Sequence, residues 1–306
     1  IEGAQPAITV VGSEPSALDR LPGSASVVTR EDLRHLAPQH GGDVLRTQPG
    51  VHVTSEDGMG LRLNISIRGL DPNRSRKVLV LEDGMPVSLN PYGSPELYYT
   101  PPIERMDRVE VVRGSGQILW GPQTIGGVIN YITRDPPLRP MVFADLRYGS
   151  YGYLFAHAGA GATHGAVGWR LDVMHRGFEG PRRLDLALTD VTGRLRLRLG
   201  EHSVLRVKAN FYDEASRATY AGLTTPQFER DPRFNGAVHD RFLVQRFAFA
   251  AALHHRFSPA LALQTNFYAY ETNRAWRRQE FARVDSGEEY ERACDPLGNC
   301  GPRGAA

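Results

Sequence analysis

From residue 138 onwards the chain alternates apolar and polar residues with a period of two, the signature of strands with one apolar face. Val167, Trp169, Leu171 and Val173 fall on one side; Arg170, Asp172 and Arg176 fall on the other. Val191, Leu195, Leu197 and Leu199 likewise oppose Asp190, Thr192, Arg194, Arg196 and Arg198. The pattern repeats with Leu205, Val207, Ala209 and Phe211 against Arg206, Lys208, Asn210 and Tyr212. It repeats again with Leu261, Leu263 and Phe267 against Gln264, Asn266, Tyr268 and Tyr270. A soluble sandwich alternates too, so connection lengths have to discriminate. Tight turns are expected at 149–152, 162–166, 200–203 and 258–260, and long polar connections at 178–188, 214–241 and from Asn273 onwards. Short turns alternating with long loops, on about seven strands of roughly ten residues, is the pattern of an outer-membrane barrel wall.

The first 137 residues read differently. Ser26–Thr29 is β-like, and Thr29 with Asp32 forms a capping signal for a helix. Gly42–Arg46 is a second helical piece, stopped by Pro49-Gly50, and Val51–Val53 is extended. Asn64–Gly69 and Lys77–Leu81 are strands, and Glu82–Val87 contains an Asp-Gly hairpin turn. Val109–Val112 and Val128–Thr133 are strands separated by glycine-rich turns, with one helical turn at Gln117–Trp120. The pair Gly126-Gly127 lacks side chains, so another backbone can approach closely.

Composition narrows the classes. The 306 residues carry 32 glycines and 21 prolines, which favours short strands and turns. The net charge of +2 does not suggest nucleic acid as a partner. Lys77 and Lys208 are the only lysines; the other basic residues are arginines, suited to bidentate contacts with carboxylates. Cys294 and Cys300 flank a turn-forming DPLGN, which favours a local disulfide in an oxidising compartment over a metal site or a free thiol pair. No apolar run is long enough for a membrane helix, which leaves spanning by strands open.

Several phrases of the first half identify it more sharply. RVEVVRGSGQILWGPQTIGGVINYITR, GGDVLRTQPGVHV, NISIRGLD and VLVLEDGMPV together resemble the plug domain of TonB-dependent outer-membrane receptors. The resemblance implies an α+β plug domain followed by antiparallel transmembrane β-barrel strands. About seven strands would be only part of a ~22-stranded barrel of this kind, an incomplete barrel, since an open sheet leaves unpaired edges in lipid. It divides the chain into a TonB-box-like segment at 1–20, a plug at 21–137 and the first barrel strands at 138–306. It places the protein in the bacterial outer membrane, in contact with lipid, with TonB as inner-membrane partner and a ferric siderophore or similar ferric chelate as transported ligand. It implies no covalently bound cofactor and no resident metal.

Site residues follow from the same resemblance. Ala7, Ile8, Thr9, Val10 and Val11 match the TonB box in character, an extended segment able to add to a partner's sheet. Arg74 and Arg76, with Asn90, Tyr92, Ser94, Glu96, Tyr98 and Tyr99 from the next loop, are expected to meet the ligand. Guanidinium groups there suit the carboxylates of a chelate. The PYGSP element resembles receptors of the ferric-citrate type, but Ser94 and Glu96 replace amides of that type. A carboxylate at Glu96 puts citrate itself in question. Glu104, Asp107, Glu110 and Arg113 of the plug, with Arg194 and Arg196 of the wall, are expected plug–barrel contacts.

No catalytic set emerges. Ser115 is not in a nucleophile elbow, and His254-His255 point to opposite faces of a strand and cannot jointly chelate. An enzyme is therefore rejected. Two alternatives stand beside the transporter: an outer-membrane scaffold or assembly subunit that keeps the plug-barrel form without transport, and a soluble two-domain binding protein.

Overall fold

The structure is a computed structural model that describes residues 24–57, 59–87, 98–114, 124–219 and 221–279. The chain divides into two compact units, Ile1–Asp135 and Pro136–Ala306.

The first unit is built on a five-stranded sheet. Its strands are β1 (Ser24–Val28), β4 (Val78–Glu82), β5 (Met85–Pro86), β6 (Met106–Arg113) and β7 (Gly127–Thr133), in the order β1-β6-β7-β4-β5. β4 and β7 are parallel; the other pairs are antiparallel. β2 (Val51–Ser55) and β3 (Leu63–Ile67) form a separate hairpin. Every residue of β4 and β7 is buried, as strands covered on both faces require. Leu79, Leu81, Val112 and Val128 form a core cluster against which Ala25 and Val27 pack.

Local chemistry explains the short helices. In α1 (Arg30–Leu36) the Asp32 amide donates to Thr29 Oγ1 at 3.2 Å, and the Thr29 amide donates back to the Asp32 carboxylate at 2.8 Å. These two bonds satisfy donors that the first turn leaves open. The Thr29 hydroxyl, which donates to the Asp32 carboxylate at 2.7 Å, and then the Thr29 amide hold the Asp32 carboxyl below its ordinary range. α2 (Gly41–Arg46) repeats the device with Asp43, whose carboxylate accepts from the Gln39 and His40 amides. The glycine pair behaves as its lack of side chains suggests. The Gly126 amide donates to Lys77 O at 2.7 Å, and a Cβ on Gly127 would lie 2.1 Å from Val112 O.

The second unit is an antiparallel meander of β8 (Met141–Gly149), β9 (Tyr153–His164), β10 (Val167–Phe178), β11 (Leu186–Arg198), β12 (Ser203–Ser216), β13 (Arg241–Ser258) and β14 (Leu261–Arg277). The number of strands agrees with the sequence pattern; the lengths do not. β13 and β14 have 18 and 17 residues, against roughly ten for a membrane span. Pairing of backbone groups continues past the end of the apolar stripe. The connection between β12 and β13 also holds a short helix, α3 (Thr225–Arg230), capped by Thr224 and Gln227.

The meander is apolar on its exposed face and polar on its buried one. Trp169 and Leu171 are 43% and 42% exposed, whereas Arg170 and Asp172 between and beside them are 3% and 5% exposed. Register carries the apolar face across the sheet: Val142, Ala160, Leu171, Gly193, Ala209, Phe249 and Ala269 form one continuous cross-strand row. The apolar band has polar borders. At one end Ser203 Oγ meets His255 Nδ1 at 2.7 Å. At the other, a row of His175, Thr189, Asp213, Gln245 and Asn273 is hydrogen-bonded crosswise, His175 to Thr189 at 3.0 Å and Gln245 to Asp213 at 2.9 Å. From Ser203 to Asp213 is ~33 Å along a strand, or ~25 Å once tilted, the height of a membrane-facing apolar band. Among the described residues no helix is long and apolar enough to cross a membrane; this sheet has the face that crossing by strands needs.

Candidate ligand and coupling site

The expected ligand residues begin in the turn at 71–76. The Asp71 carboxylate accepts from the Asn73 amide at 3.0 Å, and the Arg74 amide donates to Asn64 Oδ1 at 2.8 Å. Ser75 Oγ bridges β3 by accepting from the Ile65 amide and donating to Leu63 O. Both Arg74 and Ser75 take a positive φ to make this turn, at 57° and 54°. The stapled turn leaves Arg74 and Arg76 exposed. Asn90, Tyr92, Ser94 and Glu96 lie outside the described residues, as do Ala7 to Val11, the turn at Gln117–Trp120, Cys294 and Cys300.

Tyr98 is half-buried, and Tyr99 is 2% exposed. Tyr99 therefore does not offer its ring to solvent. Its hydroxyl donates to Glu82 Oε2 at 3.0 Å and accepts from Arg105 Nη2 at 2.6 Å. Arg105 also grips Glu82 with both terminal nitrogens, at 2.6 and 3.2 Å. The reading of Tyr99 as a ligand-facing ring is replaced by a buried triad of Tyr99, Glu82 and Arg105. The turn between β4 and β5 is bonded as well. Asp83 takes the Thr133 amide and hydroxyl on its carboxylate, and the Gly84 amide donates to Asn130 Oδ1. Sequence reasoning missed Glu82 and Arg105. The available signal was an acid at the end of an otherwise apolar strand.

Of the expected contact residues, Glu110 accepts from Arg108 Nε at 3.0 Å and from Asn130 Nδ2 at 3.1 Å. Asp107 lies 3.7 Å from Arg108. Glu104 is half-buried at the 3₁₀ turn Ile103–Arg105. Arg113 donates to Pro49 O at 2.8 Å, to Ser26 Oγ at 2.8 Å and to Ser24 Oγ at 3.4 Å. Burial, then the Arg68 charge, pulls its pKa down. These described partners all lie in the first unit, and Arg113 fastens the end of β6 to β1. In the second unit Arg194 is buried on the polar face, and Arg196 donates to Thr163 Oγ1 at 3.3 Å.

The sheet order gives these contacts a direction. The expected ligand loop follows β5 at one edge, and the segment at 7–11 precedes β1 at the other. Glu82, Asn130, Glu110 and Arg113 occupy the strands between, each held by the bonds above. The arrangement sets bonded polar residues on three neighbouring strands, β4, β7 and β6. It holds no nucleophile–base pair, and among the described residues no group of three or more potential ligands is placed to hold a metal ion.

Comparison with known proteins agrees with the architecture. The TonB-dependent Receptor Plug Domain family matches residues 17–128. The chain is 36% identical over 141 residues to the ferric enterobactin receptor PirA of Pseudomonas aeruginosa, covering 42% of this chain and 18% of that one. It is 39% identical over 125 residues to the iron-regulated outer membrane virulence protein of Vibrio cholerae, covering 38% of this chain and 18% of the relative. The chain thus spans about a fifth of the length of these relatives. Among solved structures, the ferric citrate transporter FecA in unliganded form superposes with a TM-score of 0.79 at 24% identity, over 88% of this chain and 42% of that one. The ferripyoverdine receptor of Pseudomonas aeruginosa gives 0.67 at 20% identity, over 81% and 34%.

Proposed function

We propose, on the premise that this chain carries the plug domain of a TonB-dependent outer-membrane receptor, that the whole protein binds a ferric chelate outside the cell and carries it inward. The observation that carries this reading is the pairing of a plug with a sheet whose apolar side chains are exposed and whose charged ones are buried. The relatives support the ligand class, since their names speak of ferric enterobactin, iron regulation and ferric citrate. Arg74 and Arg76 supply the charge, and Asn90, Tyr92, Ser94, Glu96 and Tyr98 the rest of the pocket. Tyr99, two residues after the loop in sequence, contributes through its buried bonds to Glu82 and Arg105.

Coupling is the second part of the proposal. Residues 7 to 11 add as a strand to TonB, and chelate occupancy changes their exposure. The route is the sheet itself: loop, Glu82, Asn130, Glu110, Arg113, then Ser24 and Ser26 of β1.

Binding of ferric citrate, ferric enterobactin and a charge-neutral ferric trihydroxamate to the full-length receptor tests the ligand class. At least one should bind, and replacing both Arg74 and Arg76 with glutamine should weaken an anionic complex by about tenfold or more, as losing charged hydrogen bonds does. Binding of none of the three would overturn the reading.

A further inference from the structure

The strands of the meander send their lysine and arginines to the polar face, with two exceptions. Arg241 shares the apolar face with Leu243 and Phe247, and Arg277 shares it with Ala275 and Ala269. The two are directly opposite in register at the long-loop end of β13 and β14, and both are exposed. Among the described residues neither guanidinium has an ion pair or hydrogen bond. Arg217, just past the end of β12, differs in being ion-paired with Asp185 at 2.9 Å. Asp240, beside Arg241 in sequence, is buried and accepts from the Gln279 amide. The carboxylates of the apolar face, Asp213 and Glu271, lie nearer the band and accept from Gln245 and Asn273.

Like charges directly opposite across strands repel, and an anion between them reverses the sign. Height decides which anion. Arg241 and Arg277 lie four residues beyond the border row of Gln245 and Asn273, ~13 Å along the strands or ~10 Å once tilted. Headgroups occupy ~5–8 Å of each leaflet. Arginine stems lie along apolar surface and leave the charge in the polar layer, and Leu243, 44% exposed, with Ala275 supplies that surface. Long connections mark this end as the outer one. Both guanidinium groups therefore reach phosphate depth in the outer leaflet.

Below the border row the same strands carry a groove of about 550 Å³. Gly193, Ala209 and Ala269 line it, with the rings of Phe211, Phe247 and Phe249. It is continuous with the membrane-facing band and runs on the side from which an acyl chain would descend.

We infer that Arg241 and Arg277 form a phosphate site for a lipid of the outer leaflet, with one acyl chain of that lipid seated in the groove. Charge complementarity selects the phosphate, and continuity with the apolar band selects the lipid. A second copy of this chain is disfavoured, because a two-fold contact through this face would bring the same two cations together. The site rests on the membrane placement of the sheet and is independent of the transported ligand.

The test is native mass spectrometry of the full-length receptor in detergent, titrated with diphosphorylated lipid A and with the same lipid stripped of both phosphates. The wild-type receptor should bind the phosphorylated lipid about tenfold more tightly, as charged hydrogen bonds provide. R241Q/R277Q should reduce that preference to within about twofold. R241K/R277K should keep a preference of about threefold or more, because lysine still binds phosphate as a point charge. G193L fills the groove; a Cβ there meets nothing within 4 Å, so the sheet accepts it. It should weaken both lipids by about threefold. Equal wild-type affinity for the two lipids overturns the site, as does a glutamine double that keeps the preference or a G193L variant that binds both lipids normally. Receptor dimers without any lipid preference assign the face to a second copy and overturn it too. Ferric-chelate uptake enters none of these readings, so the site and the transport proposal fail separately.

Discussion

Gly127 occupies a point that other residues cannot. Its φ is +149°, and an added Cβ would meet Val112 O at 2.1 Å. Gly127→Ala should therefore destabilise the first unit by ~3 kcal/mol or more, read as earlier melting of the full-length receptor. Tyr131 makes the opposite case. It is fully buried, and its hydroxyl has no hydrogen-bond partner among the described residues. Tyr131→Phe should be neutral or stabilise by up to ~1 kcal/mol. Burial raises the Tyr131 pKa, so the folded protein holds this proton more tightly than the unfolded chain. The stability linked to the neutral ring is complete below about pH 10 and is lost as pH rises through the unfolded value toward the folded one. The Tyr131→Phe variant should accordingly lose less stability than wild type between about pH 9 and pH 11 in the same melting series. Glu82→Gln should cost ~3 kcal/mol, since it leaves Arg105 buried without its carboxylate. The Thr29–Asp32 cap was legible because its partners are three residues apart. Tyr99 was not, because its partners sit 17 and 6 residues away and a loop rich in proline, glycine and tyrosine reads as exposed.

At the scale of elements, period two carried most of the second unit. Leu171 and Ala209 were assigned to a face from their own strands, and pairing brings them into one row with Gly193, Phe249 and Ala269. Strand ends were less legible, since hydrogen bonding runs on where the apolar stripe stops. The border row from His175 to Asn273 became visible only with register, which no single strand contains. Phe249 lies in the middle of the apolar band. Phe249→Lys should destabilise the receptor by ~2–4 kcal/mol in a bilayer, and Ala248→Lys, one residue away on the polar face, by less than half as much. Denaturant titration of both in lipid vesicles checks the contrast. Equal costs would mean that the face assignment is wrong.

For the whole molecule, the two units do different physical work. The first pairs buried charges, Glu82 with Arg105 and Glu110 with Arg108, around a five-stranded sheet whose edge strands are β1 and β5. The second exposes apolar side chains in a band of membrane height. Phrases such as VLVLEDGMPV and GGVINYITR made the first unit recognisable in the sequence because local turn chemistry and buried strands constrain them tightly. The ligand loop was legible only as a region, since a pocket depends on distances that its composition does not encode. The proposed transport requires that capture by the ligand loop be joined to energy delivered at residues 7 to 11. The direct measurement is paired binding and energy-dependent uptake of a ferric chelate that the full-length receptor binds, before and after deletion of residues 7 to 11. The account predicts binding unchanged within about twofold and uptake abolished. Uptake continuing at the wild-type rate would contradict it.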